Sequence, residues 1–382
     1  MQYICIKAGH REKKFDILKA LDGELSPASI NFGEKKDKSY TRTHCIKDLP
    51  ISCNDEPVKA LAELLDKHKT LFEKDVHEYY RTFQIPKRTG GWRKIDAPKE
   101  ELVKFHEDFT DLMRDILMKD RNGDIFEMHH TSAYAYIENR CTKDCLMRHQ
   151  YNQSKWFAKT DLHNFFGSTT KEFILNQFRI IYPLSQIMND LEGAAYLSRA
   201  LDLCLLDGGL PQGTKVSPWL TNLIMIPIDH ELANTLHPKF VYTRYADDMQ
   251  FSSKEKFNLY EIHNAVKNAL KKFGAPYELN LEKSRFGSIN GRNWNLGLML
   301  NKDNEITIGS ENIAKFKIDI HNFILDSLND KWWSRQEVEM FQGRLNYYRY
   351  IQPDRINEII NKYNNKYSVD TVKMIKMILK KV

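Results

Sequence analysis

Two adjacent aspartates, Asp247 and Asp248, lie between two largely apolar segments within residues 242–251. These segments predict a strand, a tight turn and a second strand, with both carboxylates at the tip. Two carboxylates held side by side repel each other unless a cation sits between or beside them. Mg²⁺ suits such a place because it is a hard ion that prefers oxygen ligands and brings phosphates with it. The alternative is an exposed turn, where aspartate is common in any protein.

A third aspartate, Asp161, comes near the end of an apolar segment that starts at Trp156. That segment predicts a strand, and a loop follows it. A single aspartate in such a place is usually a turn former or a helix cap. Together with Asp247 and Asp248, however, it makes the third carboxylate of a site that can hold two divalent cations about 3.5–4 Å apart.

Two other stretches have residue types that could contact phosphates. Residues 79–95 predict a hairpin that turns at residues 89–91 and carries basic side chains on both arms. Residues 208–218 contain three glycines, so their backbone can approach a ligand closely, and we expect them to open a helix that runs through Ile226. A basic hairpin or a glycine-rich loop is weak evidence when it stands alone, so the order of the stretches has to carry the argument.

Taken in order, these stretches resemble the motifs of reverse transcriptases, and the resemblance spans roughly residues 79–350. It implies an α+β fold of the right-hand polymerase type, with fingers, a palm built on an antiparallel sheet and a helical thumb. It implies an RNA-directed DNA polymerase, a nucleotidyltransferase that extends a primer with dNTPs on an RNA template. The implied divisions are an N-terminal extension at 1–78, fingers at 79–150, a palm with interleaved fingers segments at 151–300 and a helical thumb at 301–382.

The resemblance makes Asp161, Asp247 and Asp248 the catalytic residues. They would bind two Mg²⁺ ions, and the backbone carbonyl of Leu162 would complete the coordination. One ion would lower the pKa of the primer 3′-hydroxyl and align it for in-line attack, while the other would stabilise the departing pyrophosphate. Clustered carboxylates without such a use are costly, which weighs against a different class of protein, an RNA-binding scaffold without polymerase activity.

The resemblance also implies contacts with the incoming nucleotide. Lys87 and Arg93 on the basic hairpin would bind its triphosphate and neutralise charge on the leaving pyrophosphate, and Lys94 is a further candidate. Gln212 would contact the nucleotide directly. Gly213 would let the template base stack close to the main chain.

Two more residues are candidates for the nucleotide site. Phe166 lies five residues after Asp161, where the family holds a bulky side chain under the sugar. An aromatic ring there would collide with a 2′-hydroxyl, so deoxynucleotides would be preferred. The alternative is an ordinary core phenylalanine. Lys283 is a candidate proton donor to pyrophosphate, and the alternative for it is a surface lysine.

Contacts with primer and template are expected at three places. Tyr245 precedes the paired aspartates, and Arg344 lies in a C-terminal stretch where basic and aromatic residues alternate. Leu296, Gly297 and Leu298 resemble the primer grip, in which a glycine between apolar residues permits a tight turn. The alternative to a nucleic-acid-binding thumb is a plain helical bundle with a charged surface.

Helices must hold these segments in position. Apolar residues recur at helical spacing in residues 57–72, 99–119 and 258–273. The C-terminal part of the chain is also helical in pattern, and Ser334 with Glu337 predicts a capping box at the start of one helix.

Composition sets the broad class of the protein. The chain has 382 residues and a net charge of +6, a mild excess that is compatible with nucleic acid but does not prove it. It contains no apolar run long enough for a membrane span, and its N-terminus is charged too early for a signal peptide. We therefore expect a cytoplasmic protein whose partners are an RNA template, a DNA product and dNTPs, with no membrane partner.

The cysteines bear on metal and disulfide chemistry. Six of them are scattered along the chain, which fits reduced thiols better than a disulfide framework. Cys141, Cys145 and His149 recur every four residues on a predicted helix. A metal site there would lack a fourth ligand, and a half-buried helix face is the interpretation that we favour.

The subclass rests on analogy with the family alone. The chain ends soon after the predicted thumb, and we expect no RNase H, endonuclease or integrase segment, as in the stand-alone retron and defence-associated reverse transcriptases of bacteria. Retron enzymes usually show Asn-Ala-x-x-His before the palm and Val-Thr-Gly in the thumb, and neither occurs here. We therefore expect an antiphage defence enzyme that copies a dedicated non-coding RNA, with a retron enzyme making msDNA as the alternative. The RNA, the priming group and the oligomeric state stay open.

Overall fold

The protein is described by a computed structural model over residues 55–87, 90–118, 129–291, 296–331 and 333–381. The predictions on residues 1–54, on Thr89 of the hairpin turn and on Trp294 and Asn295 before the primer-grip glycine lie outside the described residues.

Helices and strands are distributed unevenly along the chain, and after Thr307 the described residues form helices but no strand. The helices are α1 (Asp55–Lys67), α2 (Glu100–Met118), α3 (Thr142–Tyr151), α4 (Lys171–Phe178), α5 (Leu184–Asn189), α6 (Leu191–Asp202), α7 (Val216–Ile224), α8 (Ile226–Leu236), α9 (Leu259–Lys272), α10 (Ser310–Leu328), α11 (Arg335–Ile351), α12 (Pro353–Tyr367) and α13 (Thr371–Lys381). The strands are β1 (Tyr80–Pro86), β2 (Trp92–Pro98), β3 (Trp156–Leu162), β4 (Val241–Tyr245), β5 (Asp248–Ser253), β6 (Leu279–Ser288), β7 (Met299–Leu300) and β8 (Ile306–Thr307).

A four-stranded sheet with the order β4-β5-β3-β6 forms the palm. Its neighbouring strands all pair antiparallel. Strands β4 and β5 are joined directly as a hairpin, whereas β3 comes from far earlier in the chain and lies between β5 and β6. Because antiparallel neighbours run in opposite directions, the C-terminal end of β3 lies beside the N-terminal end of β5, at one end of the strands.

Two separate hydrophobic cores hold the molecule together. The first runs from Leu61 on α1 to Tyr277 before β6, and it contains the buried faces of the palm helices and of the sheet. The second begins at Leu298 and contains the buried faces of α10 to α13. Leu146 on α3 also belongs to the second core, so this helix packs into the C-terminal unit although it lies far earlier in the chain.

The basic hairpin forms a separate two-stranded sheet, β1 paired with β2. Gly90 and Gly91 both have positive φ values, +87° and +80°, which glycine adopts without a steric penalty. The backbone N–H of Lys87 donates to the Gly91 carbonyl at 3.0 Å and continues the ladder by one step. The predicted hairpin is therefore present, and β2 ends at Pro98.

The predicted helices are present with shifted ends. The first ends at Lys67, and a separate 3₁₀ turn then covers Lys69–Phe72. The helix expected to run from the glycine-rich loop through Ile226 is instead two helices that meet at Met225, the cap of both. Pro227 lies in the first turn of the second helix, and its missing N–H prevents continuous helical hydrogen bonding there.

The C-terminal helices also carry local signals from the sequence. The Ser334 hydroxyl accepts from the Glu337 backbone N–H, and the Glu337 carboxylate accepts in turn from the Ser334 N–H, which is the predicted capping box. In the described part of the chain, no helix is both long and apolar enough to cross a membrane.

Candidate active site

The paired aspartates lie at the tip of the β4–β5 hairpin. Tyr245 on β4 pairs with Asp248 on β5, which leaves Ala246 and Asp247 as the two turn residues. Ala246 has a φ of +58°, a left-handed conformation that is unfavourable for a residue with a Cβ atom. The turn is therefore tight, and something must hold it in that conformation.

Asp161 comes to the same place from the neighbouring strand. It is the cross-strand partner of Asp248 in the β3–β5 ladder. The backbone N–H of Leu162 donates to the Asp247 carbonyl at 3.2 Å, which ties the end of β3 to the turn. Two segments that are distant in sequence thus bring Asp161, Asp247 and Asp248 together.

The three carboxylates repel each other, and the repulsion is only partly relieved. Burial, followed by the charges of Asp161 and Asp248, raises the pKa of Asp247 to about 6. Burial also raises the pKa of Asp248, although the Lys159 ammonium works in the opposite direction. The cluster therefore attracts cations at neutral pH.

Two lysine ammonium groups form hydrogen bonds with these carboxylates. Lys159 Nζ donates to Asp248 Oδ2 at 2.8 Å, and Lys283 Nζ donates to Asp161 Oδ2 at 2.7 Å. The hydrogen bond to Asp161 raises the pKa of Lys283, so its ammonium stays protonated. Across the described ranges, no cationic side chain pairs with Asp247. The candidate proton donor is thus in contact with Asp161, although most of its side chain is exposed.

The donor set fits a hard divalent cation. Three carboxylates with two ammonium groups leave an excess of negative charge, and oxygen is the ligand that Mg²⁺ prefers. Within the described residues, no three acidic, histidine or cysteine side chains are already arranged as a metal site. The two lysine ammonium groups each pair with one carboxylate oxygen, of Asp248 and of Asp161.

The loop after β3 carries the predicted sugar gate. Phe165 is buried in the first core, whereas Phe166 is only half-buried and packs against that core from outside. The Phe166 carbonyl accepts from the Leu210 N–H at 2.9 Å. A Cβ atom on Gly209 would lie 2.2 Å from the Gly167 carbonyl oxygen, so the two backbones touch. The glycine-rich loop is thereby fixed beside Phe166.

The glycine-rich loop also contacts the basic hairpin. The Gln212 carbonyl accepts from the Asp96 N–H on β2 at 2.7 Å. Gly213 has a φ of +127°, and a Cβ atom there would lie 2.8 Å from the Asp96 carbonyl oxygen. The bare side of Gly213 thus faces strand β2, and the hairpin and the loop form one surface.

Side chains on the two faces of the basic hairpin have different surroundings. Arg93 on β2 is the cross-strand partner of Ile85 on β1, so the two side chains lie on the same face of the hairpin. Lys87 is two residues after Ile85, and because side chains alternate between the faces of a strand, it lies on that face too. Lys94 lies on the opposite face, where its ammonium donates to Asp207 at 3.0 Å. Of the three basic candidates, Lys87 and Arg93 can act together, and Lys94 is engaged elsewhere.

Comparison with known proteins agrees with this geometry. The profile of a family described as reverse transcriptase (RNA-dependent DNA polymerase) matches residues 85–336, well over half of the chain. The chain belongs to the reverse transcriptase family. The predicted right-hand α+β fold and the predicted enzyme class are confirmed: the protein is an RNA-directed DNA polymerase, and its family generally uses divalent metal ions.

Curated relatives of this reverse transcriptase include two retron enzymes from Escherichia coli. Retron Ec83 reverse transcriptase is 26% identical over 306 residues, which cover 78% of this chain and 90% of the relative. Retron Ec73 reverse transcriptase is 27% identical over 295 residues, which cover 74% and 86%. Among solved structures, telomerase from Candida albicans aligns with 12% identity and a TM-score of 0.41, covering 83% of this chain and 67% of the telomerase chain.

The residues expected to contact primer and template lie at three places in this reverse transcriptase: beside the Asp247–Asp248 turn, in the turn before β7 and on α11. Tyr245 is half-buried at the end of β4. Leu296 and Gly297 form a turn with φ values of +53° and +86°, and Leu298 is buried in the second core. Arg344 on α11 forms an ion pair with Asp319 on α10, so its charge is already engaged.

An arginine that was not among the sequence-based site candidates lies beneath the Asp247–Asp248 turn of the reverse transcriptase. Arg244 is fully buried, and its guanidinium forms three hydrogen bonds to the Asp229 carboxylate on α8 at 2.7–3.1 Å. It also donates to the Ala246 carbonyl at 3.1 Å and to the Asn222 side-chain oxygen at 3.3 Å. A charged residue inside a strand, three residues before the first of two adjacent aspartates, is the signal that could have revealed it.

The cysteine–histidine pattern on α3 is structural within the described residues. His149 contacts the Ser252 hydroxyl at 2.6 Å and the Thr243 hydroxyl at 2.8 Å. The Cys145 thiol donates to the same Thr243 hydroxyl at 3.2 Å. Both ring nitrogens and the thiol are therefore engaged with the sheet, as expected for a helix face that packs against it.

Proposed function

We propose that this reverse transcriptase copies a dedicated non-coding RNA into DNA with two Mg²⁺ ions held by Asp161, Asp247 and Asp248 and by the Leu162 carbonyl. The observation that carries the proposal is the cross-strand pairing of Asp161 with Asp248 beside the Asp247 turn. When bound, the ions supply the charge that activates a primer 3′-hydroxyl and stabilises pyrophosphate. The raised pKa of Asp247 supports an affinity for cations in this cluster.

The protein side chains supply the rest of the nucleotide site in this proposal. Lys87 and Arg93, on one face of the hairpin, bind the triphosphate. Gln212 and Gly213 bring the backbone of the glycine-rich loop to the nucleotide and the template base. Lys283, held protonated by its hydrogen bond to Asp161, donates a proton to the leaving pyrophosphate.

Primer and template are bound on the thumb side of the turn in this proposal. Tyr245 and the turn at Leu296–Gly297–Leu298 contact the primer terminus, and Arg344 contacts the backbone of the duplex. The pairing of Arg344 with Asp319 means that a phosphate must compete with a carboxylate for this guanidinium. We also propose that the enzyme works in the cytoplasm.

The test of the core proposal is primer extension with labelled dNTPs on a primed RNA template. We expect Mg²⁺-dependent extension by the wild type and none by Asp247→Asn, which keeps the shape and removes a charge. Asp303→Asn is the matched control, because Asp303 is an exposed aspartate in the β7–β8 connection. Extension by Asp247→Asn at the wild-type rate would contradict the proposal, and absence of Mg²⁺-dependent extension by the folded wild type would favour the RNA-binding scaffold.

Sugar selection is proposed to rest on Phe166, whose half-buried ring packs at the edge of the first core. Phe166→Ala should admit ribonucleotides, because it removes the ring that would collide with a 2′-hydroxyl. Single-nucleotide incorporation gives kcat/KM for dNTP and for rNTP. Phe178→Leu is the control, because it changes another buried ring of the same core, at the end of α4. Unchanged selectivity in Phe166→Ala would remove Phe166 from the site.

The identity of the copied RNA distinguishes two candidate roles, a retron reverse transcriptase and another defence enzyme. Alignment over 90% of a retron enzyme supports a retron reverse transcriptase that makes msDNA. The missing Asn-Ala-x-x-His and Val-Thr-Gly stretches support another defence enzyme. Sequencing the nucleic acid that co-purifies with the protein separates the two, since msDNA has covalently joined RNA and DNA. Phage challenge of cells that carry wild type or Asp247→Asn tests an antiphage role for either product.

A further inference from the structure

Tyr136 is a large aromatic residue that is held in an unusual place. Its side chain is 60% exposed, and its backbone φ is +59°. An aromatic residue rarely adopts that left-handed conformation, because the Cβ atom is too close to the following carbonyl oxygen. Its conformation must therefore be imposed by the chain around it, and such residues concentrate at functional sites.

The residues just before Tyr136 are attached to the catalytic hairpin. The Tyr134 N–H donates to the Arg244 carbonyl at 2.9 Å, and the Arg244 N–H donates to the Ser132 carbonyl at 2.7 Å. Ala133 forms a parallel bridge with Arg244. The segment thus runs beside β4 as a short additional strand and delivers Tyr136 to the catalytic end of the sheet.

The buried side chain of Asn222 connects the backbone next to Tyr136 with the catalytic turn. Asn222 Nδ2 donates to the Ala135 carbonyl at 2.8 Å, directly before Tyr136. The Asn222 side-chain oxygen accepts from Arg244, which also donates to the Ala246 carbonyl in the catalytic turn. Asn222 is only 4% exposed, so these bonds are shielded from water. The backbone of Tyr136 and the catalytic turn are consequently fixed relative to each other.

The ring of Tyr136 projects among residues of the proposed nucleotide site. Its centroid lies 6.5 Å from that of Phe166, with the rings inclined at 58°. Burial raises the pKa of Tyr136, the Asp247 charge raises it further and the Arg93 charge lowers it. Tyr136 therefore lies beside the proposed sugar gate, at the end of a segment that is hydrogen-bonded to the β4–β5 hairpin.

The Tyr136 ring has little use as a core residue. Most of its surface is open, and among the described residues no hydrogen-bond partner meets its hydroxyl group. Phe166 is braced on its other side by Phe165, whose ring centroid lies 5.6 Å away. Among the described residues, Tyr136 and Phe165 are the two aromatic rings in contact with the Phe166 ring.

We propose that Tyr136 is a positioning residue for sugar selection, because its ring braces Phe166 from the open side. This inference rests on the proposed role of Phe166 as the sugar gate. Tyr136 acts through the Phe166 ring, and so its contribution is to specificity more than to the rate of dNTP addition.

The test compares Tyr136→Ala and Tyr136→Phe in single-nucleotide incorporation. Tyr136→Ala should lower the ratio of kcat/KM for dNTP to that for rNTP at least about tenfold, a typical effect of one missing contact in an apolar pocket. Tyr136→Phe keeps the ring and should hold the ratio within about twofold. Tyr260→Ala is the control, because Tyr260 is an exposed tyrosine on α9, with 68% exposure.

A double-mutant cycle shows whether Tyr136 acts through Phe166. In a Phe166→Ala background, Tyr136→Ala should have no further effect on the ratio. An equal effect in both backgrounds would overturn the inference, as would a wild-type ratio in Tyr136→Ala or an equal loss in Tyr136→Phe. If Tyr136→Ala folds poorly, Tyr136→Gly replaces it, because glycine adopts the same φ without strain.

The cycle also separates this inference from the proposed function. An unchanged ratio in Phe166→Ala alone removes the gate itself, whatever Tyr136 does. A relaxed ratio in Phe166→Ala with a wild-type ratio in Tyr136→Ala leaves the gate intact and overturns only the role of Tyr136.

Discussion

The buried guanidinium of Arg244 lies directly beneath the turn that carries the proposed catalytic aspartates. It neutralises Asp229 and holds the Ala246 carbonyl, the residue with the strained φ. Tyr242 donates its hydroxyl to the same Asp229 carboxylate at 2.8 Å. A buried ion pair adds little net stability by itself, but losing one partner leaves an uncompensated charge. Stability and catalysis therefore depend on this residue for different reasons, which variants can separate.

Arg244→Leu should destabilise the protein by about 3–5 kcal/mol, because it strands the Asp229 charge in the core. The double variant Arg244→Leu/Asp229→Leu should regain much of that stability, since neither charge remains. Both should lack polymerase activity, because the Ala246 carbonyl loses its donor. Urea unfolding followed by circular dichroism, with primer extension, measures both properties.

The control for that series is Arg355→Leu, which removes an exposed arginine from an ion pair within α12, with 3.6 Å between its atoms and those of Glu358. It should leave stability and activity nearly unchanged. The account of Arg244 fails if Arg244→Leu retains activity, or if the double variant is no more stable than the single one.

The glycine-rich loop shows how one element positions another. Gly208 and Gly213 both have positive φ values, +80° and +127°. Only Gly213 is in close contact, because a Cβ atom there would lie 2.8 Å from the Asp96 carbonyl, whereas Gly208 faces open space. Substitutions at Gly208 and Gly213 can therefore be compared to separate the effect of backbone strain from the effect of the contact between loop and hairpin.

Alanine at both positions should cost about 1 kcal/mol through the left-handed backbone. Gly213→Ala should in addition push strand β2 and its Arg93 away from the loop. We expect its KM for dNTP to rise at least about tenfold, beyond what the shared strain explains, while Gly208→Ala changes it by less than about threefold. Steady-state incorporation gives both values, and thermal melting checks the fold. Equal KM values for the two variants would show that the contact with Asp96 is unimportant for nucleotide binding.

The sequence correctly predicted those elements that depend only on neighbouring residues. The strand–turn–strand around Asp247, the hairpin around Gly91 and the capping box at Ser334 each need only neighbouring residues, and all three are present. The pairing of Asp161 with Asp248 needed the order of the motifs and the family resemblance. The helix break at Met225 was missed, although Pro227 was a local signal for it.

Contacts between elements that are distant in the chain could not be predicted from the sequence. Asp229 looks like an ordinary polar residue of an amphipathic helix until α8 packs on β4 and brings Arg244 to it. Tyr136 is one of many aromatic residues in the sequence, and its left-handed backbone depends on hydrogen bonds between distant segments. These features depend on which faces meet, and periodicity alone does not contain that information.

Helix α3 connects the two halves of the molecule. Leu146 enters the second core, while His149 and Cys145 on the same helix bond to hydroxyl groups of the palm sheet. Lys143, near the start of α3, donates to the Tyr350 carbonyl on α11 at 2.9 Å. A change at the His149 contact should therefore affect the attachment of the thumb to the palm, and with it the stability of the whole protein.

His149 gives that stability a defined dependence on pH. Burial lowers its pKa from 6.5 to about 3, so the folded state holds the neutral ring. The unfolded chain binds the proton more readily, and the stabilisation from His149 is therefore complete above pH 6.5 and is lost progressively as the pH falls towards 3. His106 and His130, both with pKa values lowered to about 4 by burial, act in the same direction.

His149→Gln should cost about 1–3 kcal/mol near neutral pH, because at least one buried hydroxyl group loses its partner. The difference from the wild type should shrink as the pH falls below 6.5, since glutamine does not titrate and the wild type loses the contribution of the neutral ring. Urea unfolding at pH 7.5, 6 and 5 measures the trend, and His237→Gln at an exposed histidine is the control. A difference that stays constant with pH would mean that His149 does not titrate as its burial requires, and the link between palm and thumb would then rest on packing through Leu146 alone.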